Sequence, residues 1–200
     1  MTVRTGSKGM PRGEREAQIL NAAAIEFGTR GYASVLVADV AVRAGVSKPL
    51  IYLYFSSKDG LGAACAERAG SALAAKIAEA MGAPAPTFLA AAAVLDAIFT
   101  ALEPRPHDWN VLYDHGAPPD TETATVARRY RRIIAEQAAT GVWSALAAAG
   151  LSDGRDLSLL THIWMNSVTA VVSWWLDNPD QTADDMSARA HRILTALTTA

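Results

Sequence analysis

Residues 37–55 read VADVAVRAGVSKPLIYLYF, and this stretch decides the fold. Its apolar residues recur at a helical spacing and predict two short helices around a small shared core, formed by Val40, Ala44, Val46, Ile51 and Tyr54. Gly45 lies where the first helix must end, since glycine adopts the left-handed conformation without strain. Ser47 is a natural N-cap for the second helix, and Pro49 falls in its first turn. This order is typical of a helix-turn-helix, whose second helix enters the DNA major groove; an ordinary helical hairpin is the alternative.

The flanking sequences extend the motif. FGTRGY at 27–32, ADVAVRAGVSK at 38–48 and LIYLYFSSKDGL at 50–61 closely resemble the TetR (tetracycline-repressor) family of transcriptional regulators. The resemblance is specific and covers about the first third of the chain. It implies an all-α fold of about nine helices: an N-terminal three-helix helix-turn-helix DNA-binding domain, a long fourth helix, and a C-terminal helical domain for ligand binding and dimerisation.

The same motifs imply a set of DNA contacts. Tyr52 and Lys58 are expected to meet phosphates, together with Lys48 or the backbone of Ser47. Leu50 and Tyr54 are better placed against base edges such as thymine methyls. Val35-Leu36 stand where the family usually has threonine or serine, and we expect Ser34 to supply the helix cap and the phosphate interaction in their place. The expected DNA contacts are Ser34, Ser47, Lys48, Pro49, Leu50, Tyr52, Tyr54 and Lys58, with Arg12 and Arg15 as possible contacts of an N-terminal arm.

Charge is distributed unevenly along the 200 residues. Residues 1–60 hold eight basic and five acidic side chains, a net +3, whereas the rest hold ten and fifteen, a net −5. A basic module on an acidic body suits a DNA-binding protein with a separate second function. We therefore divide the chain into a flexible basic arm (1–12), a DNA-binding domain (13–60) and an effector-binding and dimerisation domain (61–200).

Caps and breaks predict the other helices. Their expected spans are 13–28, 57–81, 87–102, 107–115, 121–149, 157–177 and from 182 to near the end of the chain. The helix at 157–177 is apolar nearly all round and needs burial on both sides. One side can cover the body, and the other a second copy of the chain, so that the last two helices of each copy form a four-helix bundle. The expected dimer contacts are Val168, Val171, Val172, Trp175, Ile193 and Leu197.

Aromatic and polar residues of the C-terminal part predict a pocket for a small, mostly apolar effector. The candidates are Phe88, Phe99, Trp109, Tyr113, Tyr130, Trp143, His162, Trp164 and Asn166; the alternative is that each aromatic side chain is simply core. Four arginines at 128, 129, 131 and 132 surround Tyr130. They either grip an anionic ligand, face the DNA-binding module, or form a solvated surface.

Other functional classes find little support. His107, Asp108, Asp114 and His115 are too loosely spaced to predict a metal site, and no nucleophile and base are paired as an enzyme requires. The single Cys65 permits no internal disulfide, and neither a signal peptide nor a membrane span is evident, so we expect a cytoplasmic protein without a cofactor. The favoured function is a homodimeric repressor that binds a palindromic operator and is released by an effector. A transcriptional activator and a constitutive architectural DNA-binding protein are the alternatives.

Overall fold

The computed structural model describes residues 10–82 and 87–198, without the side chains of residues 87–88 and 197–198. All regular secondary structure in this part of the chain is helical, as predicted. Its helices are α1 Arg12–Ser34, α2 Val37–Ala44, α3 Lys48–Phe55, α4 Lys58–Met81, α5 Thr87–Leu102, α6 His107–Tyr113, α7 Glu122–Ala148, α8 Gly154–Asp177 and α9 Ala183–Thr198. We call α1–α3 the head and α5–α9 the body. None of these described helices is both long and apolar enough to cross a membrane.

The turn between α2 and α3 forms as the sequence predicts. Gly45 ends α2 at φ 62°, a left-handed conformation in which a side chain would be strained. The Ser47 hydroxyl accepts the N–H of Leu50 at 3.4 Å and caps α3. Val40 and Ile51 are both fully buried between the two helices. Both helices are therefore held by their own shared core.

An ion cluster fixes α2 against α1. Glu26 of α1 is only 6% exposed and accepts from Arg43 of α2 at 2.6 Å and from Arg30 at 3.0 Å. The hydrogen bond from Arg43 holds the pKa of the Glu26 carboxyl below its usual range. A nearly buried carboxylate with two guanidinium partners is compensated in both charge and hydrogen bonding, so it orients α2 without leaving an unpaired charge.

Helix α1 continues past the predicted end at Gly28. Gly28 serves close packing: a Cβ there would lie 2.7 Å from the His107 carbonyl oxygen, so only glycine lets α6 approach α1 this closely. The interruption comes at Gly31, with φ 75° and ψ 153°, and the chain resumes a helical turn to Ser34. The prediction of Gly28 as a stop was wrong because a glycine inside a helix can be required by a neighbour from a distant part of the sequence.

Helix α4 is common to head and body. The Ser57 hydroxyl caps its start, accepting the N–H of Gly60 at 2.8 Å, and Cys65 in its middle is fully buried. Gly70 lets α7 come close, since a Cβ at that position would lie 2.1 Å from the Tyr130 ring. Asp59, in the first turn of α4, also caps α7: its carboxylate accepts the N–H groups of Glu122 and Thr123 at 2.9 and 3.0 Å. The head end of α4 is thus tied directly to α7.

The body packs α5 and α7 against α4, with α8 lying on α7 and α9 on α5. Phe99 of α5 meets Trp175 of α8 edge to face, with ring centroids 5.4 Å apart. Helix α8 begins three residues earlier than expected, because Asp153 caps it through the N–H of Arg155. Thr182 and Asp185 form a capping box at the start of α9.

Candidate nucleic-acid interface

One face of α3 is exposed to solvent. Ile51 and Phe55 point into the head, so their opposite neighbours on the helix face solvent: Lys48, Pro49, Tyr52 and Leu53. Leu53 is 76% exposed, which is unusual for a leucine on a well-packed helix. Leu53 was not among the residues predicted from sequence, although its spacing relative to Ile51 and Phe55 already places it outward. Leu50 and Tyr54, predicted to meet bases, are only partly exposed at the edges of this face.

Lys58 lies beside this face at the start of α4. Its ammonium sits 4.6 Å from the centre of the Tyr32 ring and donates to the Ala33 carbonyl at 3.4 Å. Partial burial lowers the pKa of Lys58. An ammonium has three donors, so two remain for an anion arriving from outside the head. The aromatic ring and the carbonyl orient the charge in advance of any such contact.

The two arginines predicted for the arm have different surroundings. The Arg12 guanidinium lies over the Tyr54 ring at 5.3 Å, which places a cation next to α3. Arg15 is only 7% exposed and donates to Gln18 at 2.7 Å, so its prediction as a DNA contact is corrected: its guanidinium is part of the head's interior. Residues 1–9 of the predicted arm lie outside the described residues.

Ser34 does not cap α2, contrary to our expectation. It is the last residue of α1, and Leu36 occupies the N-cap position without a side-chain cap. The start of α2 is held instead by the Asp39 carboxylate, which accepts the N–H of Leu36 at 3.3 Å. Ser34 is exposed, so its hydroxyl stays accessible, but its role as a replacement cap was wrong because two residues separate it from the helix.

The pattern that defines the bacterial regulatory proteins of the tetR family matches residues 19–65, from within α1 to the first turns of α4. These residues build the buried turn and the outward face of α3 described above. The head of this chain is thus similar to the DNA-binding domain of the tetR family, and the chain is a DNA-binding transcriptional regulator.

The similarity to known regulators extends beyond the head. The HTH-type transcriptional activator FasR of Mycolicibacterium smegmatis is 27% identical over 180 residues, 90% of this chain and 80% of FasR. A TetR-like regulator from Rhodococcus sp. RHA1 superimposes with a TM-score of 0.71 at 25% identity, covering 95% of this chain and 98% of that one. The fold also matches FadR of Bacillus subtilis, solved in complex with stearoyl-CoA, at a TM-score of 0.68 and 19% identity, over 90% and 96% of the two chains.

The residues predicted to line an effector pocket do not surround one cavity. Phe99 and Trp109 are core residues with at most 2% exposure, and Trp109 stacks on Tyr113 at 4.3 Å. Tyr130 is mostly buried and donates its hydroxyl to Glu67. The remaining described candidates lie on the surface or at the edge of a groove: Trp143, His162, Asn166 and Trp164. The Phe88 side chain lies outside the described residues.

The predicted dimer contacts divide between two sides of α8. Val172 and Trp175 are at most 5% exposed because they pack into the protomer's own core, so they are corrected to core residues. Val168, at 4% exposure, belongs to the same core but also lines the groove between α8 and α9. Val171 and Ile193 instead line an open groove between α8 and α9. The Leu197 side chain lies outside the described residues.

The residues considered for a metal are occupied by other partners. Asp108 accepts from Arg105 at 2.8 Å, and Asp114 accepts the backbone N–H of Tyr32 at 2.6 Å. Within the described ranges, no three histidine, cysteine or carboxylate side chains are grouped as a metal site would require.

Proposed function

We propose that this protein is a ligand-responsive repressor that binds a palindromic operator as a homodimer through α3 of each head. The outward face of α3 supports this most directly, because it presents one cation, one phenol and one exposed leucine on a helix whose other side is locked in the core. Lys48 lies 5.8 Å from the Tyr52 ring, which keeps cation and phenol side by side. Together they offer phosphate contacts flanking an apolar side chain for base edges. We therefore add Leu53 to the proposed base contacts.

The groove between α8 and α9 supports the dimer. Its volume is about 680 Å³, and its walls are mainly apolar, with arginines at the rim. Several large apolar side chains on the two helices stay exposed in the protomer: Leu159 61%, Ile163 50%, Trp174 46% and Ile193 61%. Monomeric proteins seldom leave such contiguous apolar surface in water, and a self-complementary contact between two copies would bury it.

Relatives support a regulator with an effector but differ on the sign of regulation. The stearoyl-CoA complex of Bacillus subtilis FadR shows a small molecule bound to this fold, and we infer that this chain also responds to one. FasR of Mycolicibacterium smegmatis is named an activator, so activation is the second candidate. In either case the ligand must favour one arrangement of the two heads over the other, since equal affinity for both would shift nothing.

Selection from random double-stranded DNA tests this function. We expect the recovered sites to be palindromes whose half-sites lie one helical turn apart, or a multiple of it, because two-fold symmetric heads impose their symmetry on the site. The size of the complex in analytical ultracentrifugation then gives the number of chains for each site. Recovery of asymmetric sites bound by single chains would contradict the dimeric repressor.

Removing the Lys58 ammonium is expected to weaken binding to every DNA sequence alike. Each phosphate contact adds about 0.9 to the magnitude of the negative slope of log K against log salt, so Lys58→Ala in both heads of a dimer should lower that magnitude by roughly two. Fluorescence anisotropy on operator and on random DNA between low and high salt measures both slopes. Lys76→Ala is the control, because Lys76 is on the same helix but pairs with Glu79 near the opposite end of α4. An unchanged slope in Lys58→Ala would rule out the phosphate contact.

A further inference from the structure

A cavity of about 210 Å³ lies where α1, α4, α6 and α7 meet, between head and body. Part of its wall is apolar, formed by Phe27 of α1, Val111 of α6 and Ala127 of α7. The rest is polar and mostly cationic, formed by His115, Arg128 and Arg131, with the Asp114 carboxylate nearby. The cavity therefore combines an apolar floor with a cationic rim.

The two arginines of the rim lack acidic partners. Arg128 donates to the Pro119 carbonyl at 2.8 Å, and Arg131 donates to the Leu112 carbonyl at 3.0 Å. In the described ranges, neither guanidinium has a carboxylate oxygen within 4 Å. Burial lowers the pKa of Arg131, and the neighbouring Arg128 charge acts in the same direction, while the more distant Asp114 carboxylate offsets only part of this effect.

The other two arginines of the same run provide a contrast. Arg129 pairs with Glu67 across to α4, and Arg132 lies 3.7 Å from Glu136 on the outer face of α7. The helical repeat thus turns Arg128 and Arg131 into the cavity and leaves Arg129 and Arg132 outside it. Of the three interpretations of the run drawn from sequence, the structure favours an anion contact for two arginines and structural or surface roles for the others.

We propose that this cavity binds a small organic anion whose charged group meets Arg128 and Arg131 and whose apolar part lies against Phe27 and Val111. The proposal rests on the effector-responsive function put forward above and names its ligand class and site. A guanidinium pair is suited to a carboxylate or phosphate group, through planar charge-assisted hydrogen bonds.

The size of the cavity limits the ligand. At roughly 30 Å³ for each water molecule, 210 Å³ holds about seven waters. Pockets for drug-sized ligands are larger, at about 300–1,000 Å³. The cavity thus suits a compact carboxylate such as benzoate or a short-chain acid, and is too small to enclose a long acyl chain.

The site adjoins a link between head and body. The Asp114 carboxylate accepts the N–H of Tyr32 at 2.6 Å and that of Gly116 at 2.8 Å, and so joins the end of α1 to the segment between α6 and α7. A bound anion brings a second negative charge close to this carboxylate. Repulsion between the two negative charges in a partly water-excluded cavity weakens the hydrogen bond between Asp114 and Tyr32. The ligand then binds more tightly when the head occupies a different position, and this difference in affinity is what release from DNA requires.

Isothermal titration of the full-length protein with benzoate, hexanoate and inorganic phosphate tests the site. We expect benzoate or hexanoate to bind with a dissociation constant below the millimolar range and neutral benzamide to bind at least tenfold more weakly than benzoate. Arg128→Gln and Arg131→Gln should each weaken binding of the carboxylate about tenfold, whereas Arg132→Gln, on the same helix outside the cavity, should leave it unchanged. Arg128 is exposed and tolerates substitution, so the test holds even if Arg131→Gln fails to fold.

Three results would overturn the proposal: no binding of either carboxylate at millimolar concentration, equal loss in Arg132→Gln and Arg128→Gln, or phosphate binding as tightly as the carboxylates. Operator affinity, measured separately by anisotropy, distinguishes this failure from failure of the proposed function. Arginine-dependent carboxylate binding that leaves operator affinity unchanged supports the site and removes its effector role. Release by another compound, with no carboxylate binding, removes the site and supports the effector-responsive function.

Discussion

Ile193→Glu is expected to turn a dimer into a monomer that folds but binds the operator at least one hundredfold more weakly. Ile193 is 61% exposed in the protomer and lines the groove between α8 and α9. A glutamate costs little there in the monomer, because water reaches it. In the dimer it would place an unpaired charge inside an apolar contact, at a cost of several kcal/mol. Loss of the second head then removes the gain from simultaneous binding, commonly about 10²–10⁴-fold.

Sedimentation equilibrium at micromolar concentration measures the change, as a shift from twice the chain mass of 21.1 kDa to that mass itself. Leu89→Glu is the matched control: Leu89 is a comparable apolar side chain, 46% exposed, on α5 outside the groove. It should remain dimeric. Val172→Glu is unsuitable for this test, since Val172 is fully buried in the protomer and the charge would unfold it. A dimeric Ile193→Glu protein with full operator affinity would refute the proposed contact.

Gly70→Ala is expected to destabilise the protein by about 2 kcal/mol. Alanine is the better helix former by about 1 kcal/mol, but its Cβ would lie 2.1 Å from the Tyr130 ring in the contact between α4 and α7. Overpacking of this kind costs about 1–3 kcal/mol, or more where the neighbour cannot move, and Tyr130 is held by its hydrogen bond to Glu67. For a chain of this length the melting temperature should fall by roughly 4–8 °C.

Gly141→Ala provides the matched comparison. Gly141 lies inside α7, and a Cβ there would meet nothing within 4 Å. Only the helix propensity then changes, so the variant should gain about 1 kcal/mol. Thermal denaturation of both variants at equal protein concentration shows whether each substitution raises or lowers the melting temperature. If both substitutions stabilise the protein equally, the contact between Gly70 and the Tyr130 ring does not limit the packing of α4 on α7.

Local chemistry made much of the fold predictable from sequence. The helix ends are set by interactions between residues at most four positions apart: the left-handed turn at Gly45, the caps formed by Ser47 and Ser57, and the Thr182–Asp185 box. Their effect can be inferred without knowing what packs around them. The outward side of α3 can also be inferred from sequence, because the spacing of the buried apolar residues shows which residues lie on the opposite face of the helix.

Contacts between distant residues account for the failures. Helix α8 is apolar nearly all round, so its sequence could not show that Val172 and Trp175 face the protomer's own core while Val171 faces the groove. The cavity was missed for a similar reason. Its walls come from four helices, and the conspicuous aromatic side chains, such as Trp109, fill the core instead.

The buried position of Cys65 has a practical consequence for measuring how far apart two heads lie. It is the single cysteine of the chain, it is fully buried, and burial raises the pKa of its thiol to about 12. At pH 7.5 roughly three molecules in 100,000 would carry the reactive thiolate, so the native chain is nearly inert to thiol-directed spin labels. A cysteine introduced at Val42, which is 83% exposed on α2, would therefore take the label alone. Two labels in a dimer would report the separation of the heads as a distance distribution, with and without carboxylate.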